Sequence, residues 1–392
     1  MAPTLTEEQR RHVEQLARAI EEAHTVPPHL LAPFARLPRH WFVDQVYLAD
    51  AAGAMPTWPR AVTPETTDPD LLSAVYSDHA LCIQVCGGVG TSSTSQPSLM
   101  AQMMADAGLQ TGARVLEIGT GTGWNGALMA DVVGPTGRVV SLECDQELAA
   151  AARRHLAVAG YEDRVEVRHT DGVAGAADAA PFDAILVTVG CPDIPRPWLE
   201  QLAEGGRLVM PFALPDESAP LLRLVRRGDT WSGEFLRWTW FVALRGGALA
   251  DWPAPLRAAD HAAWQAAGGR STWRHTPAPS ASLLLWLLAH DAATVIVADD
   301  ANQGRRNGTP GLMDAAGLAV LGDNGVLGYG DEATAQRLAA HVEAWHAAGR
   351  PEVGAWRAVA ERGGAVVGGA ALRRVCTCLR LDLGHGSTHD RQ

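Results

Sequence analysis

The segment Val115-Leu116-Glu117-Ile118-Gly119-Thr120-Gly121-Thr122-Gly123-Trp124-Asn125-Gly126 carries the sharpest chemical signal in the chain. Glycines directly behind an apolar run let the backbone turn tightly and approach a ligand, and the helix that follows offers free N–H groups. A nucleotide-like cofactor is expected at this loop. Gly121, Gly123 and Gly126 also spell the dinucleotide pattern G-x-G-x-x-G, and Glu143 lies at about the spacing of a ribose-binding acid, so a nicotinamide oxidoreductase is an alternative. All 32 Lys+Arg residues are arginine. A chain without lysine has no P-loop phosphate lysine, no Schiff-base lysine and no kinase-type lysine.

Two details favour S-adenosylmethionine over NAD. Glu117 ends the first strand just before the glycines, where dinucleotide sites keep an apolar residue beneath the pyrophosphate. A sulfonium cation with an amino-acid tail welcomes that acid, whereas a pyrophosphate is repelled by it. The second detail is Thr170-Asp171-Gly172 after the third strand, an acid and a small residue where a methyltransferase holds adenine.

Composition narrows the classes further. A net charge of -12 gives no general electrostatic footprint for nucleic acid or an anionic membrane surface. Met1 to Arg11 is charged and lacks an apolar stretch, which argues against a signal peptide, and the longest apolar run, Leu283 to Ala289, falls far short of the roughly 20 residues of a membrane span. The six cysteines fit reduced thiols in a cytoplasm better than a disulfide framework. Cys376 and Cys378 with His385 and His389 match no standard zinc spacing, and no metal is expected.

The elements that must position these residues follow from hydrophobic periodicity. Thr4 with Glu7, or Thr6 with Gln9, makes a capping-box signature, and Val13, Leu16, Ala17 and Ile20 then recur at helical spacing ahead of Pro27-Pro28. Proline-rich residues 28–69 read as an irregular arm. Regular alternation starts near residue 112: strands over 114–118, 138–143, 165–168, 183–188 and 207–211, with helices over 124–133, 145–158 and 197–203. Such alternation predicts an α/β fold with a doubly wound, mostly parallel Rossmann-like sheet. Residues 221–227 and 235–244, joined around Gly228-Asp229, read as an antiparallel pair at its C-terminal edge. Gly246-Gly247 is a plausible boundary, giving a domain over 1–246 and a smaller C-terminal α+β domain over 247–392. The second holds a strand at 294–298, a helix from Asp331 with Ala335, Leu338, Val342 and Trp345 on one face, and a strand over 375–383.

Further blocks surround the glycine loop: Leu37-Pro38-Arg39-His40-Trp41-Phe42-Val43, Thr94-Ser95-Gln96-Pro97, Asp171-Gly172, Ala180-Pro181-Phe182-Asp183-Ala184-Ile185-Leu186-Val187, Ile194-Pro195, Gly205-Gly206-Arg207-Leu208-Val209 and Phe241-Val242-Ala243-Leu244. With residues 115–123 they occur in the order of the protein-L-isoaspartate O-methyltransferases, and over about residues 37 to 245 the sequence resembles that family. The resemblance implies that Ser95 sits in the active site near the methyl group and the substrate carboxylate. It also implies that Glu117 with Gly119, Thr120, Gly121 and Gly123 holds the methionine part of S-adenosylmethionine, Glu143 the ribose hydroxyls, and Asp171 with Gly172 the adenine. Thr94 and Arg39 are expected near the substrate beside Ser95; Arg196 and Arg207 are weaker candidates for pairing with an acidic group. The sequence departs from the family at Trp124, where tyrosine is usual, and in the Gly/Ser/Thr-rich stretch before Ser95.

The chemistry implied asks little of side chains, since a sulfonium methyl is already activated and a carboxylate attacks it in line. The partner is a peptide or protein carrying aspartate or isoaspartate. Repair members of the family end soon after the segment matching Phe241 to Leu244, whereas extended relatives methylate a chosen aspartate in ribosomally made, modified peptides. The extra length favours that branch, with a methyl ester that closes to an aspartimide and hydrolyses to isoaspartate. Nine of the 13 tryptophans lie beyond Val225 and serve as peptide grips or as core filler. Repair of damaged isoaspartyl proteins is the alternative within the family, and a non-catalytic peptide-binding protein the alternative outside enzymes.

Overall fold

A computed structural model describes residues 3–48, 58–214, 218–246, 271–273, 281–291, 293–297, 309–315, 317–322, 325–361, 370–373 and 378–383. The chain opens with helix α1 (Glu7–Ala23), started by the reciprocal Thr6/Gln9 capping box. The arm that follows is built of short pieces: α2 (Pro28–Leu31), two single-turn helices, the strand pair β1 (Gln45–Val46) and β2 (Arg60–Ala61), and α3 (Pro69–Val75). Next comes an antiparallel hairpin, β3 (Leu81–Cys86) and β4 (Val89–Thr94), which periodicity does not predict. An isolated bridge from Tyr47 to Cys82 joins it to the arm. Helix α4 (Pro97–Ala107) leads into the regular sheet.

The alternating half matches expectation closely. β5 (Arg114–Ile118), α5 (Trp124–Val133), β6 (Arg138–Glu143), α6 (Gln146–Ala159), β7 (Val165–His169), β8 (Phe182–Val187), α7 (Arg196–Gln201) and β9 (Leu202–Pro211) alternate as the periodicity requires. β5 lies central and parallel to β6 and β8, with Leu116 opposite both Val140 and Ile185. All three side chains are 0% exposed, which explains why these strands read as continuous apolar runs.

β10 (Ala219–Arg227) and β11 (Thr230–Thr239) form the expected antiparallel pair, but the second strand runs over 230–239 and not to Leu244 as its apolar run suggested. They are not the sheet's edge. β17 (Trp356–Glu361) pairs antiparallel with β11, β19 (Cys378–Leu383) with β17, and β18 (Ala370–Arg373) with β19, giving ten strands in the order β18-β19-β17-β11-β10-β9-β8-β5-β6-β7. The rest of the C-terminal part is a five-stranded antiparallel sheet of β12 (Ser271–Trp273), β13 (Thr294–Val297), β14 (Thr309–Met313), β15 (Gly317–Gly322) and β16 (Gly325–Gly330) with helices α8 (Ala281–His290) and α9 (Glu332–Ala347). Ala335, Leu338, Val342 and Trp345 of α9 are buried, as their spacing predicts. One apolar cluster runs from Ile185 and Trp198 through Trp231 and Phe235 to Trp286, Trp345 and Trp356, so the two expected domains share a core as well as a sheet. Trp231, Trp286, Trp345 and Trp356 are core filler; Trp240, 61% exposed, is not. Trp252, Trp264, Cys376, His385 and His389 lie outside the described residues. Among the described residues no helix is long and apolar enough to cross a membrane, and no group of three or more His, Cys, Asp or Glu could hold a metal ion.

Candidate active site

The carboxyl ends of parallel strands, with the loops that leave them, are where an open α/β sheet has room for a ligand. Here the ends of β5, β6 and β8 and the loop after β7 open into a cleft. Its walls are Ile118, Gly119 and Gly121 after β5, Leu142 to Cys144 after β6, Gly172, and Thr188-Val189 after β8. Two further segments close it from outside: Thr91 to Ser93 on β4, and Val242 to Arg245, held across the sheet ends by hydrogen bonds from Gly190 N to Val242 O (2.8 Å) and from Leu244 N to Gly190 O (2.9 Å).

The loop's glycines are required by its path. Gly119 has φ +96°, and a Cβ there would lie 2.7 Å from Thr188 Oγ1. That hydroxyl instead donates to Gly119 O at 2.7 Å, fixing the turn. Gly121, with φ +53°, donates its N–H to Glu143 Oε2 at 2.9 Å, and a Cβ would point at Ser93 O, 3.6 Å away. Thr120 is buried and its Oγ1 is paired with Ser141 Oγ at 2.6 Å, while Gly123 begins α5 without a side chain to cap it and the Trp124 N–H donates to Thr122 Oγ1 at 3.3 Å. On the far side, Asp171 is exposed and its Oδ1 accepts from Val173 N at 3.0 Å, and Gly172 is pinned by Trp198, whose indole N–H donates to Gly172 O at 2.8 Å.

Of the residues singled out from sequence, Gly119, Gly121, Glu143 and Gly172 line the cleft. Glu117 does not. It is 0% exposed beneath the loop, accepting from Asn125 Nδ2 at 2.7 Å and from Ser141 Oγ at 2.5 Å. Burial pushes its carboxyl up to about 7, opposed by these two hydrogen bonds and reinforced by the nearby Glu143 charge. Any influence it has on a cofactor is exerted through the loop.

Ser95 is half-buried just beyond β4. Thr91, Ser92 and Ser93 line the cleft, and Ser95 lies two residues beyond them, outside the lining. Ser95 does not cap the helix that follows: the cap position of α4 is Gln96, and Ser98 N is met by Asp78 Oδ1 at 2.8 Å. The Ser95 hydroxyl has no hydrogen-bond partner among the described residues. Thr94 is buried and paired with Leu81 across the hairpin.

Arg39, expected at the substrate, is corrected to a scaffold position. It is 0% exposed, and its guanidinium donates to the carbonyls of Val75 (2.9 Å), Ser77 (3.0 Å), His79 (3.0 Å), Thr94 (3.2 Å) and Ser95 (3.0 Å) while lying 5.2 Å from the Trp124 ring centroid. These N–H groups are spent on backbone, and through one of them Arg39 holds the Ser95 carbonyl. The departure at Trp124 is part of the same assembly: the larger ring is buried, and its N–H donates to Leu37 O at 3.1 Å. Arg196 pairs with Glu200 on the surface, and Arg207 donates to Asp106 O, both away from the cleft. The cation that does line the cleft is Arg245, which sequence reasoning missed although it directly follows the Phe241 to Leu244 block.

Comparisons with known proteins agree with this geometry. The family model described as Protein-L-isoaspartate(D-aspartate) O-methyltransferase matches residues 40–248. A protein-L-isoaspartate O-methyltransferase 2 of Pelobacter propionicus is 34% identical over 245 residues, covering 62% of this chain and 94% of that protein. The Thermotoga maritima protein-L-isoaspartate O-methyltransferase is 37% identical over 195 residues, half of this chain, which thus spans 54% of that protein's length. A solved protein-L-isoaspartate O-methyltransferase shares the fold with a TM-score of 0.57 at 24% identity, over 95% of this chain and 99% of the other. That likeness of fold extends beyond the matched family region. The chain belongs to the protein-L-isoaspartate O-methyltransferase family, and it is an S-adenosylmethionine-dependent carboxyl O-methyltransferase.

Proposed function

We propose that the chain methylates an aspartyl side-chain carboxylate of a modified peptide. In this reading the glycine turn at 119–123 receives the methionine part of S-adenosylmethionine over the buried Glu117, Glu143 takes the ribose hydroxyls, and Asp171 with Gly172 borders the adenine. The cofactor supplies an electrophilic methyl group. Ser95 carries the reading: it lies two residues beyond the cleft-lining Ser93 with its carbonyl held by Arg39, its hydroxyl is unshared among the described residues, and in this reading that hydroxyl donates one hydrogen bond to the substrate carboxylate. No lysine or histidine lines the cleft among the described residues, consistent with a reaction that orients and desolvates its partners and removes no proton.

A polymeric substrate is supported by what surrounds the opening. Of the three large apolar side chains that stand exposed among the described residues, Val89 (47%) lies in the β3–β4 hairpin whose Thr91 to Ser93 form one wall, and Trp240 (61%) is two residues from cleft-lining Val242. Once formed, the methyl ester is a better acyl donor than the carboxylate. The neighbouring backbone nitrogen can attack it, losing its proton and expelling methanol to leave the five-membered imide. Repair of L-isoaspartyl residues is the second reading, favoured by the shared fold over 95% of the chain with a solved protein of that name.

Three peptides separate the readings: one with isoaspartate, one linear with aspartate and one macrocyclic with aspartate, each incubated with protein and S-adenosylmethionine and followed by mass for methyl gain and methanol loss. Turnover of the macrocycle alone is the expected result; turnover of the simple isoaspartyl peptide alone defeats it. Whichever peptide is used, Ser95→Ala should lower kcat/KM by about ten- to a hundredfold, the worth of a hydrogen bond to a charged group. Affinity for S-adenosylhomocysteine should be unchanged. Loss of that affinity would move Ser95 from substrate to cofactor.

A further inference from the structure

We infer that Arg245 binds a second carboxylate of the peptide substrate, one that is not methylated. This rests on the peptide carboxyl methylation proposed above. Arg245 is the one permanent cation among the described residues lining the cleft. It directly follows Leu244, which is tied to Gly190, so its backbone is fixed above the sheet ends.

Among the described residues its side chain, unlike that of Arg39, is not consumed by structure. Its contacts are long, 3.3 Å to Gln84 Oε1 and 3.5 Å to Asp145 Oδ2, and 38% of it is exposed. Both partners are satisfied without it. Asp145 Oδ1 caps α6 by accepting from Glu147 N and Leu148 N, its Oδ2 accepts from Gln84 Nε2 at 3.0 Å, and Gln84 Oε1 accepts from Thr91 Oγ1 at 2.8 Å. The guanidinium can therefore leave these two acceptors for a better one at little cost to the scaffold.

Electrostatics decides which anion it takes. Asp145 meets this charge only at 3.5 Å, and a permanent cation in a cleft built for a sulfonium works against the cofactor unless an anion joins it more closely. The attacked carboxylate is the wrong anion: it loses its charge as the methyl bond forms, so an ion pair to it would stabilise the reactant and raise the barrier. A carboxylate that keeps its charge throughout gives binding without that penalty. The class implied is an acidic peptide with a glutamate or aspartate side chain, or a terminal carboxylate, within a few residues of the methylated one. Arg245 is thus a specificity residue for the sequence around the target.

The test uses the full chain saturated with S-adenosylhomocysteine and fluorescein-labelled peptides, each with one aspartate or isoaspartate and a glutamate placed one to four residues to either side. Each is paired with its glutamine counterpart. Binding is read by fluorescence anisotropy, which registers the complex whether or not methyl transfer occurs. At least one glutamate peptide should bind about five- to tenfold tighter than its counterpart. Arg245→Gln should remove that preference while holding S-adenosylhomocysteine affinity within twofold, and Arg245→Glu should transfer it to a peptide with arginine at that place. The inference is overturned if no glutamate is preferred, if the preference survives in Arg245→Gln, or if that variant loses S-adenosylhomocysteine tenfold, which would make Arg245 a fastener of the 242–245 segment. A glutamate preference without methyl gain would sink the proposed activity and leave Arg245 in place.

Discussion

Replacing Arg39 with methionine should lower the melting temperature by about 10 °C and reduce turnover more than a hundredfold even where the variant is folded. Methionine fills much of the volume but leaves five backbone carbonyls, those of Val75, Ser77, His79, Thr94 and Ser95, without their donor. Burial draws the guanidinium pKa down only to about 9, so the charge is present at neutral pH and favours the C-terminal end of α3, where Val75 sits. Breaking such a buried charged network by removing one partner costs about 3 to 5 kcal/mol, and a protein of this size loses a few degrees per kcal/mol. The kinetic loss follows from Ser95 losing the contact that fixes its carbonyl. Calorimetry gives the first quantity and initial rates at 15 °C the second, with circular dichroism confirming the folded state. A melting temperature within 2 °C of the wild type would show that water replaces the guanidinium, and the scaffold account would fail.

Glu117→Gln should do the opposite to stability while harming cofactor binding. The folded state holds the Glu117 proton up to about pH 7, whereas an unfolded chain releases it near the usual carboxylate value. Between those two values the unfolded state loses its proton first. Folding stability therefore falls as pH rises through that window and levels off above it, a penalty of about 3 kcal/mol. Glutamine keeps an acceptor for Asn125 and can donate to the Ser141 hydroxyl, so it removes the penalty without a cavity. The variant should melt several degrees above the wild type at pH 8, with the gap reduced to a small fraction of that at pH 5. The negative charge beneath the loop is then gone, and S-adenosylmethionine should bind about tenfold more weakly at pH 8. In the wild type, binding should weaken as pH drops below 7, with proton release on binding. Thermal melts and isothermal titration at both pH values measure all of this. Undiminished affinity in the variant would assign Glu117 to the scaffold alone.

The parallel half was legible residue by residue because its strands are buried on both faces and its helices carry one apolar stripe, so the pattern and the structure have one cause. The hairpin was not. In residues 89–94, Val-Gly-Thr-Ser-Ser-Thr, the buried face is carried by the small polar Ser92 and Thr94 while the apolar Val89 is exposed, which erases the period-two hydrophobic signal. Pairing of β17 with β11 joins segments more than a hundred residues apart, and nothing local to either states it. Among site residues, the glycines and Glu143 declared themselves through backbone demands and charge. Arg39 did not, since an arginine is ordinarily solvated and only the convergence of α3, the 77–79 turn and the 94–95 junction makes a place for it. Arg245 was hidden because its position depends on the two hydrogen bonds that lay residues 242–244 across Gly190.

The late return of the chain to β11 bears on how the protein is made. A ribosome delivers β5 to β11 well before residues 356–361, so during synthesis the β11 edge stands open, offering unpaired N–H and C=O groups along Thr230 to Glu234. The strand that will cover it arrives only after the five-stranded sheet has emerged. Throughout that interval the nascent chain carries a template for joining another nascent chain. A fragment cut at residue 246 would keep that condition permanently, which makes the C-terminal part a guard against self-association as well as an addition to the catalytic half.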